Sequence, residues 1–307
     1  MDDLIFFQNF KGIKIYKIIS SNFPEKSYVV CHKDFSSVLY SPYCAGISLQ
    51  TKMLKIGIQF TKAIQFLCLK NQVERKSLTE LVLLSGGLFY NLNFGFKSLF
   101  NFSLPQCFLG ISRFMLKNKF GEFDARIDYS NFEALPDNAT VLIGDTLATG
   151  ATLSKAIEHL KKVCEEKNKK IKSIFFVTLA GSKKGALAFK KATKKFEEVD
   201  TAMIFAHQVF HLMPDGTDLR FFGSDALAPA ESISQTKKIY GQYLGYNFKC
   251  AVFDWGKRCK SPLSHYEEFE NYIKEFFPTV SDKKSKLVLR KLLSLLKKEK
   301  NSYLGTI

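Results

Sequence analysis

The stretch VLIGDTLATGATL, residues 141–153, decides the fold because it passes from an apolar run into a helical pattern through a series of small residues. Asp145 ends the apolar run. Residues 149–152 fall where the first turn of a helix leaves backbone N–H groups unpaired, and such groups attract anions. The stretch therefore predicts a phosphate cradle with a carboxylate beside it. The alternative is a helix start capped by Thr149 or Thr152, which needs no ligand.

Similar apolar runs, rich in β-branched and aromatic residues, recur along the chain. They are YVVC (28–31), ELVLLSG (80–86), CFLGISR (107–113), TVLIGD (140–145), KSIFFVTLAG (172–181) and VDTAMIFA (199–206). Segments of helical period separate several of them, among them residues 152–170 and 183–196. Strands that are apolar throughout and alternate with amphipathic helices predict an α/β fold, a doubly wound and mainly parallel sheet with helices on both faces.

The predicted core spans residues 76–225, with an extra segment at each end. Residues 1–75 contain an extended piece and an amphipathic helix, which would form a hood over the site or an extra layer on the sheet. Residues 226–307 end in the amphipathic LVLRKLLSLLKKEK, which we expect to pack on the domain or on a partner subunit. We expect a homodimer. Within the C-terminal segment, residues 250–269 predict either a contact for a second substrate or partner, or simply a strand, a basic turn and a helix start.

The composition is that of an ordinary globular protein. Of the 307 residues, 46% are hydrophobic and 24% are charged. No apolar run reaches the roughly 18 residues that cross a bilayer, and the N-terminus lacks secretory signal features, so we expect a cytoplasmic protein that does not bind membranes. The seven cysteines include no C-x-x-C pair, which favours reduced, mostly buried thiols over disulfides or zinc.

The formal net charge of +16 has two interpretations. Lysine-rich helix faces are often only solvated surface. Alternatively, the positive potential that they create would attract a phosphorylated substrate or RNA. RNA is the lesser expectation, because the sequence has no helix-turn-helix, zinc-finger or RNP-like pattern.

The order D-x-x-x-T-G-x-T after a strand resembles the phosphoribosyl-pyrophosphate signature of the type I phosphoribosyltransferases. GDTLATGAT, residues 144–152, matches all but one fixed position, since Gly144 stands where the first of two acids is usual. Weaker resemblances point to the uracil phosphoribosyltransferases. They are LVLLSGGLFYNL (81–92), where Ser85 replaces an arginine, FLGISR (108–113), YSNFEALPDN (129–138), TLAGSKKGALAF (178–189) and DGTDLRFFGS (215–224).

The resemblance implies a role for each matched residue. Asp145 and Arg113 would be catalytic, Asp145 toward the ribose hydroxyls and the cationic sugar, Arg113 toward pyrophosphate. The 5-phosphate would be bound by Thr149, Gly150, Ala151 and Thr152; the pyrophosphate loop would be Ser85, Gly86 and Gly87; the base site would be Asp215, Gly216 and Asp218. Mg²⁺ would accompany phosphoribosyl pyrophosphate, and Lys117 or Lys119 would lie in a lid.

Each role has a plain alternative. Gly86-Gly87 would be a tight turn, Arg113 a surface ion-pair residue, and Asp215-Gly216-Thr217 an ordinary turn. His207 and His211 have a spacing that suits a metal on a helix, but without an acidic third ligand they are better interpreted as buried or capping histidines.

The sequence thus predicts an enzyme that transfers ribose 5-phosphate from phosphoribosyl pyrophosphate to a nucleobase, a uracil-like pyrimidine being favoured, with release of pyrophosphate. Gly144 and Ser85 each remove a charged group that this family usually has. The alternative is a non-catalytic relative that senses a nucleotide and binds RNA. A third possibility is a hydrolase, or a transferase whose acceptor is not a base.

Overall fold

The computed structural model describes residues 2–70, 74–84, 86–117, 119–249 and 255–305. These ranges contain the strands β1 (Asp3–Phe10), β2 (Ile13–Ile19), β3 (Lys26–Cys31), β4 (Leu78–Leu84), β5 (Gln106–Met115), β6 (Phe123–Asn131), β7 (Ala139–Gly144), β8 (Ile171–Thr178), β9 (Gly181–Ser182), β10 (Asp200–Ala206), β11 (Val209–Leu212) and β12 (Leu219–Arg220). Nine of them form one sheet in the order β1-β2-β3-β10-β8-β7-β4-β5-β6. The remaining three form a small sheet in the order β12-β11-β9.

The centre of the large sheet is parallel. From β3 to β5 every neighbouring pair runs in the same direction, and antiparallel pairs occur only toward the two edges, at β1-β2-β3 and at β5-β6. All six apolar runs of the sequence coincide with strands of this sheet. The carboxyl ends of β4 and β7 lie beside each other, and ligands bind at this edge in open α/β sheets.

Helices cover both faces of the sheet. They are α1 (Lys33–Leu39), α2 (Gly46–Leu67), α3 (Leu92–Phe100), α4 (Ala151–Glu166), α5 (Lys183–Thr193), α6 (Ala230–Ile239), α7 (Gly241–Asn247), α8 (Trp255–Lys260), α9 (Pro262–Phe276) and α10 (Lys283–Gly305). The core beneath α4 and α5 includes Ile174 and Phe176, whereas the core beneath the other helices includes Phe175 and Val177. Alternate residues of β8 thus face different helix layers, which confirms the predicted doubly wound α/β fold.

The two terminal segments are integral to this architecture. β1, β2 and β3 extend the large sheet itself, and α2 is the amphipathic helix predicted near the N-terminus. In the C-terminal segment, Leu289, Leu292 and Leu296 of α10 are buried in the core that α2 also covers. Five of the six described cysteines are buried, as predicted. Among the described helices, none is both long and apolar enough to span a membrane.

Candidate functional site

The loop between β7 and α4 has a left-handed backbone, which favours glycine, at one position. Gly150 is the N-cap of α4 and has φ +84°, in the left-handed region. A Cβ at this position would lie 2.6 Å from the Cβ of Ala188 on α5. Gly150 therefore serves both the turn into α4 and the close packing of α4 against α5.

The donors at the start of α4 are unpaired. No side chain caps this helix, and no described residue accepts a hydrogen bond from the backbone N–H groups of residues 149–153. The Thr149 hydroxyl is buried and also has no partner within the described ranges. The alternative of a self-capped helix start is therefore not what the loop adopts. Buried donors at a helix N-terminus are suited to an anion such as a phosphate group.

Asp145 stands at the entrance to this loop. Its Oδ1 atom accepts the Thr146 backbone N–H at 2.8 Å. Burial raises the pKa of the carboxyl group to about 7, although the Thr146 hydrogen bond and the charge of Arg113 act in the opposite direction. At neutral pH the group is thus divided between its acid and its carboxylate forms, and a nearby positive charge would favour the carboxylate.

Gly86 and Gly87 bring the chain after β4 close to this carboxylate. Both lie in the short 3₁₀ helix Gly86–Tyr90; Ser85, the first residue of the predicted pyrophosphate loop, lies outside the described residues. A Cβ on Gly86 would be 2.7 Å from the Asp145 Oδ1 atom, and one on Gly87 would be 3.0 Å from the Gly144 carbonyl oxygen. The glycines therefore do more than form a turn, since they let the backbone approach the end of β7.

The place of the missing first acid is filled. A Cβ on Gly144 would be 2.8 to 2.9 Å from three side-chain atoms of Tyr90, which is fully buried. The Tyr90 hydroxyl accepts the Leu179 backbone N–H at 3.0 Å, so the ring is held in place at both ends. The glycine is thus a packing requirement, and no second carboxylate can be accommodated at this point without moving the tyrosine.

Arg113 lies opposite Asp145, on the hairpin of β5 and β6. Its guanidinium stacks over the Phe123 ring, 4.4 Å from the centroid, and makes no ion pair within 4 Å among the described residues. Asp145 and Asp215 both contribute attractive electrostatic interactions with it. Among the described residues Arg113 thus has no ion-pair partner, which favours the ligand-binding alternative over the surface ion pair.

The hairpin tip carries the lysines assigned to a lid. Lys119 pairs with Glu122 at 3.5 Å, while Lys117 is exposed. The tip contacts the predicted base loop, since a Cβ on Gly121 would be 1.9 Å from the Pro214 carbonyl oxygen and one on Gly216 would be 2.3 Å from the Gly121 carbonyl oxygen. The predicted lid and base loop are thus in contact.

The three residues assigned to the base differ in position. The Asp215 carboxylate accepts the backbone N–H groups of Thr217 and Asp218, each at 3.0 Å, and the Thr217 hydroxyl at 2.9 Å. It is therefore engaged within its own turn, as is Gly216, with φ +70°. Asp218 alone of the three faces the cavity.

A cavity of about 540 Å³ unites these elements. Sequence reasoning placed Gly86, Arg113, Asp145, Thr152 and Asp218 in a site, and all of them line this cavity. A smaller depression of about 30 Å³ beside it is bounded by Arg113 and residues 145–153. The C-terminal segment adds Lys249, Trp255, Gly256 and Glu268 to the lining. The last three belong to residues 250–269, for which a second-substrate or partner contact was one of the two predicted alternatives, whereas no sequence pattern indicated Lys249. The signal for residues 250–269 was weak, because a strand-to-helix pattern explained the same residues.

The histidine pair does not form a metal site. His207 lies between β10 and β11 with φ +70°, and His211 lies in β11, so their four-residue spacing is not helical. His207 is buried against the Tyr40 hydroxyl at 2.5 Å, and burial lowers its pKa to about 4. His211 pairs with Asp225. Burial of His207 agrees with the structural interpretation of these residues.

Among the residues described, Asp145 is the one cavity-lining acid without an ion pair, so magnesium would have this carboxylate. No group of three or more His, Cys, Asp or Glu residues within the described ranges is arranged to hold a metal ion. Asp218 is engaged by two cations, which leaves Asp145 as the acid beside the loop that precedes α4. This donor set fits an ion that arrives with a polyphosphate and keeps much of its water, as Mg²⁺ commonly does.

No protein-family model matches the sequence, and no curated protein does either. Among solved structures, the chain is similar to a hypoxanthine phosphoribosyltransferase from Staphylococcus aureus, with 22% identity over 60% of this chain and 80% of the other and a TM-score of 0.31. It is also similar to the hypoxanthine-guanine phosphoribosyltransferase of L. donovani, with 13% identity over 54% of this chain and 85% of the other and a TM-score of 0.30. A third similar structure is the orotate phosphoribosyltransferase of Francisella tularensis, with 16% identity over 53% of this chain and 69% of the other and a TM-score of 0.30. The neighbours are phosphoribosyltransferases, and a specific likeness to the uracil enzymes stays a prediction.

Proposed function

We propose that this protein is a phosphoribosyltransferase that transfers ribose 5-phosphate from phosphoribosyl pyrophosphate to a ring nitrogen of a nucleobase. One observation carries the proposal. The N–H groups of residues 149–153, the buried Thr149 hydroxyl and the Arg113 guanidinium, none of which is paired with a described residue, lie at one cavity with the Asp145 carboxyl group. A sugar that carries a phosphate at one end and a pyrophosphate at the other matches this distribution of donors and charge.

In the reaction, the bond from C1 of the ribose to pyrophosphate breaks with its electron pair on the leaving oxygen. The bond from C1 to the base nitrogen forms, and the proton of that nitrogen passes to solvent. The amides of Gly150, Ala151 and Thr152, with the Thr149 hydroxyl, would hold the 5-phosphate. Fixed donors of this kind need no reorganisation during the reaction.

Asp145 would act on the sugar itself. Its carboxylate would accept hydrogen bonds from the ribose hydroxyls and favour the positive charge that develops on the ring. Because burial raises its pKa to about 7, the carboxylate form is costly in the empty site and gains from a cationic partner. The arrangement therefore interacts more strongly with the charged transition state than with the neutral sugar.

Pyrophosphate would leave toward the opposite wall. Arg113, which has no carboxylate partner within 4 Å in the described part of the chain, would bind its oxygens, and the backbone at Gly86 and Gly87 would approach them. Asp145 is the residue that would hold Mg²⁺, which when bound would neutralise the charge of pyrophosphate. Lys117 and Lys119 on the hairpin tip would add positive charge as the lid closes.

A uracil-like acceptor is the finer part of the proposal. It rests on the resemblance of residues 215–224 to the base-binding segment of the uracil enzymes. Asp218 supports it by facing the cavity, while Asp215 and Gly216 would shape the loop.

A non-catalytic sensor that binds RNA is the second candidate, and α10 favours it. This helix carries Lys283, Lys284, Lys286, Arg290, Lys291, Lys297, Lys298 and Lys300 but only one acid, Glu299. None of these cations forms an ion pair within 4 Å among the described residues. A regulator of this class would bind RNA with an affinity that falls steeply with salt and would release no pyrophosphate.

The test is pyrophosphate release from phosphoribosyl pyrophosphate and Mg²⁺ with a panel of bases. We expect base-dependent release by the wild type and loss of at least about a hundredfold in kcat for Asp145→Asn, because removing one electrostatic contact to a transition state costs that much. Asp137→Asn is the matched control, since Asp137 is exposed and accepts the Lys170 N–H far from the cavity. Equal turnover by Asp145→Asn and wild type would refute the proposal.

A further inference from the structure

A second cavity, of about 320 Å³, is lined mainly by residues of β4, β5, α3 and the short 3₁₀ helix that follows β4. It shares no lining residue with the cavity that Asp145 lines. Among its described lining residues, Val82, Leu88 and Phe94 are apolar and the others are polar. At about 30 Å³ for each water in the liquid, the cavity has room for about ten non-hydrogen atoms. It therefore suits a small molecule and not a nucleotide.

Glu80 contributes a buried acid to this cavity. The residue is only 3% exposed, and its Oε2 atom accepts the Gln106 side-chain N–H at 2.8 Å. Burial raises the pKa of the carboxyl group to about 7, and the hydrogen bonds from Gln106 and the Asn93 backbone offset this only in part. Within the described ranges, no Lys, Arg or His nitrogen lies within 4 Å of the carboxylate. A positive charge in the cavity would therefore stabilise it.

Capping of α3 explains only part of this arrangement. The N-cap residue Asn91 makes no side-chain cap hydrogen bond, and Glu80 instead accepts the backbone N–H of Asn93 in the first turn. One neutral acceptor would serve as this cap, and a glutamine would supply it without the cost of burying a charge. The acid is therefore better explained by a cationic partner within the cavity.

A cation on α3 lines the same cavity. Lys97 follows Asn93 by about one helical turn, so the two side chains lie on the same face of α3. Long helical side chains extend over the preceding turn, which directs the ammonium group of Lys97 back toward Asn93 and thus toward Glu80. Lys97 nevertheless forms no ion pair within 4 Å with Glu80 or with any other described residue. The cavity thus has an acid and a base whose charges are not paired with each other.

We propose that this cavity binds a free α-amino acid with an apolar side chain. The ammonium group of the ligand donates to Glu80, and its carboxylate accepts from Lys97. Its side chain packs against Val82, Leu88 and Phe94. The proposal is independent of the function proposed above, because the site is a separate cavity.

The two opposite charges are the reason for preferring a zwitterion. A simple amine would pair with Glu80 but would be repelled by Lys97, and a simple carboxylate would have the reverse difficulty. A neutral ligand would leave both charges without a partner. A molecule that carries an ammonium group and a carboxylate on one carbon satisfies both residues at once, through charge-assisted hydrogen bonds.

The apolar part of the lining is the reason for preferring an apolar side chain. Leu88 is 46% exposed and Phe94 is 40% exposed, and both line the cavity. A ligand with an aliphatic side chain would remove part of this apolar surface from water. An amino acid of the size of leucine also fits the volume.

The test is isothermal titration calorimetry of the full chain with L-leucine and L-methionine. Each amino acid is compared with its amide, which lacks the carboxylate, and with the acid that lacks the amino group, 4-methylpentanoate in the case of leucine. We expect saturable binding of the amino acids and at least about tenfold weaker binding of every analogue, because each analogue leaves one charge of the site without a partner.

Two variants assign the two charges. Glu80→Gln keeps the shape of the side chain and an acceptor for the Asn93 N–H. It should weaken L-leucine binding about tenfold or more, whereas 4-methylpentanoate should bind at least as well as it does to the wild type. Lys97→Met should weaken L-leucine binding similarly and leave the affinity for leucinamide no lower. Lys97 is exposed, so this variant is expected to fold. Lys76→Met is the matched control, because Lys76 is also exposed, precedes β4 and does not line the cavity.

Three results would overturn the amino-acid site. They are the absence of saturable binding for both amino acids, equal binding of an amino acid and its two analogues, and equal affinity of Lys97→Met and Lys76→Met for L-leucine. None of them bears on the transferase proposal, because the two cavities share no lining residue. If L-leucine binds with the expected dependence on Glu80 and Lys97 but no base releases pyrophosphate, the transferase proposal is refuted and the amino-acid site stands.

Discussion

The ring of Tyr90 occupies the space into which a side chain at Gly144 would extend. The Cβ of Tyr90 and two atoms of its ring lie within 2.9 Å of where a Cβ on Gly144 would be, and the tyrosine hydroxyl accepts the Leu179 N–H. Gly144, which departs from the phosphoribosyltransferase signature, thus leaves room for a buried tyrosine. This tyrosine comes from the 3₁₀ helix after β4, the strand beside β7. If the protein is catalytic, it works with Asp145 as the single acid of this motif.

We predict that Gly144→Asp destabilises the protein without adding a functional carboxylate. The new side chain must displace Tyr90 from a packed core, so the free energy of unfolding should fall by about 3 kcal/mol, and that for Gly144→Ala by about 2 kcal/mol. Urea denaturation followed by circular dichroism measures both. Gly305→Ala is the control, because a Cβ there meets nothing within 4 Å. Unchanged midpoints for the Gly144 variants would contradict the packing described here.

Gly150→Ala should lose both stability and phosphate binding. The backbone at φ +84° disfavours any side chain, and the added Cβ would lie 2.6 Å from Ala188. We expect a loss of about 3 kcal/mol in unfolding free energy. In the double variant with Ala188→Gly the steric part should be relieved, and about half of the loss should return. The shift in melting temperature on adding ribose 5-phosphate then measures how much of the lost phosphate affinity the double variant recovers. No recovery in the double variant would assign the whole effect to backbone strain.

The parallel core could be predicted from the sequence because its strands are apolar on both faces. β7, buried along its whole length, is the clearest case. The edge strand β1 was missed for the opposite reason. Its side chains Ile5, Phe6 and Phe7 are all largely exposed, so neither an alternating nor a fully buried pattern marks it.

Some residues of the candidate site could likewise be predicted from the sequence, and others could not. Residues 145–152 are contiguous, so their spacing alone indicated the candidate phosphate-binding loop. Lys249 and Trp255 reach the cavity only through the packing of the C-terminal helices, and no local pattern pairs Lys249 with Asp218. The filling of the Gly144 position by Tyr90 is likewise a tertiary contact between residues distant in sequence. Short-range patterns predict loops, whereas walls assembled from separate helices need the structure.

Closure of the hairpin over the site should depend on Gly121. Its φ is +73°, and a Cβ would be 1.9 Å from the Pro214 carbonyl oxygen, so Gly121→Val cannot keep the contact between the hairpin tip and the 213–218 turn. We expect the KM for phosphoribosyl pyrophosphate to rise about tenfold, since a lid that fails to close holds its substrate less well. The melting temperature should also fall, because Gly121 is buried and its left-handed backbone disfavours a valine. Phe120→Ser, at a side chain 75% exposed on the same tip, is the comparison. A large fall in melting temperature with unchanged kinetics would show that the contact is structural only.

Asp145→Asn should stabilise the protein at alkaline pH and not at acid pH. Burial raises the pKa of Asp145 from 3.8 to about 7 in the folded state. Below about pH 4 the group is protonated in both the folded and the unfolded chain, so it adds no penalty. Between these values the unfolded chain ionises first, stability falls as pH rises, and above about pH 7 the full penalty is present. The asparagine variant lacks this ionisation penalty.

Its unfolding free energy should therefore exceed that of the wild type by about 2 kcal/mol at pH 8 and by nothing measurable at pH 4. The expected difference at pH 8 is smaller than the full linkage value because the Asp145 side chain is only half-buried. Urea denaturation at the two pH values decides this, with Asp137→Asn expected to show no such crossover. A wild type that is more stable than the variant at pH 8 would mean that the carboxylate is well solvated or already paired. The empty site would then carry no penalty that a cationic sugar could relieve.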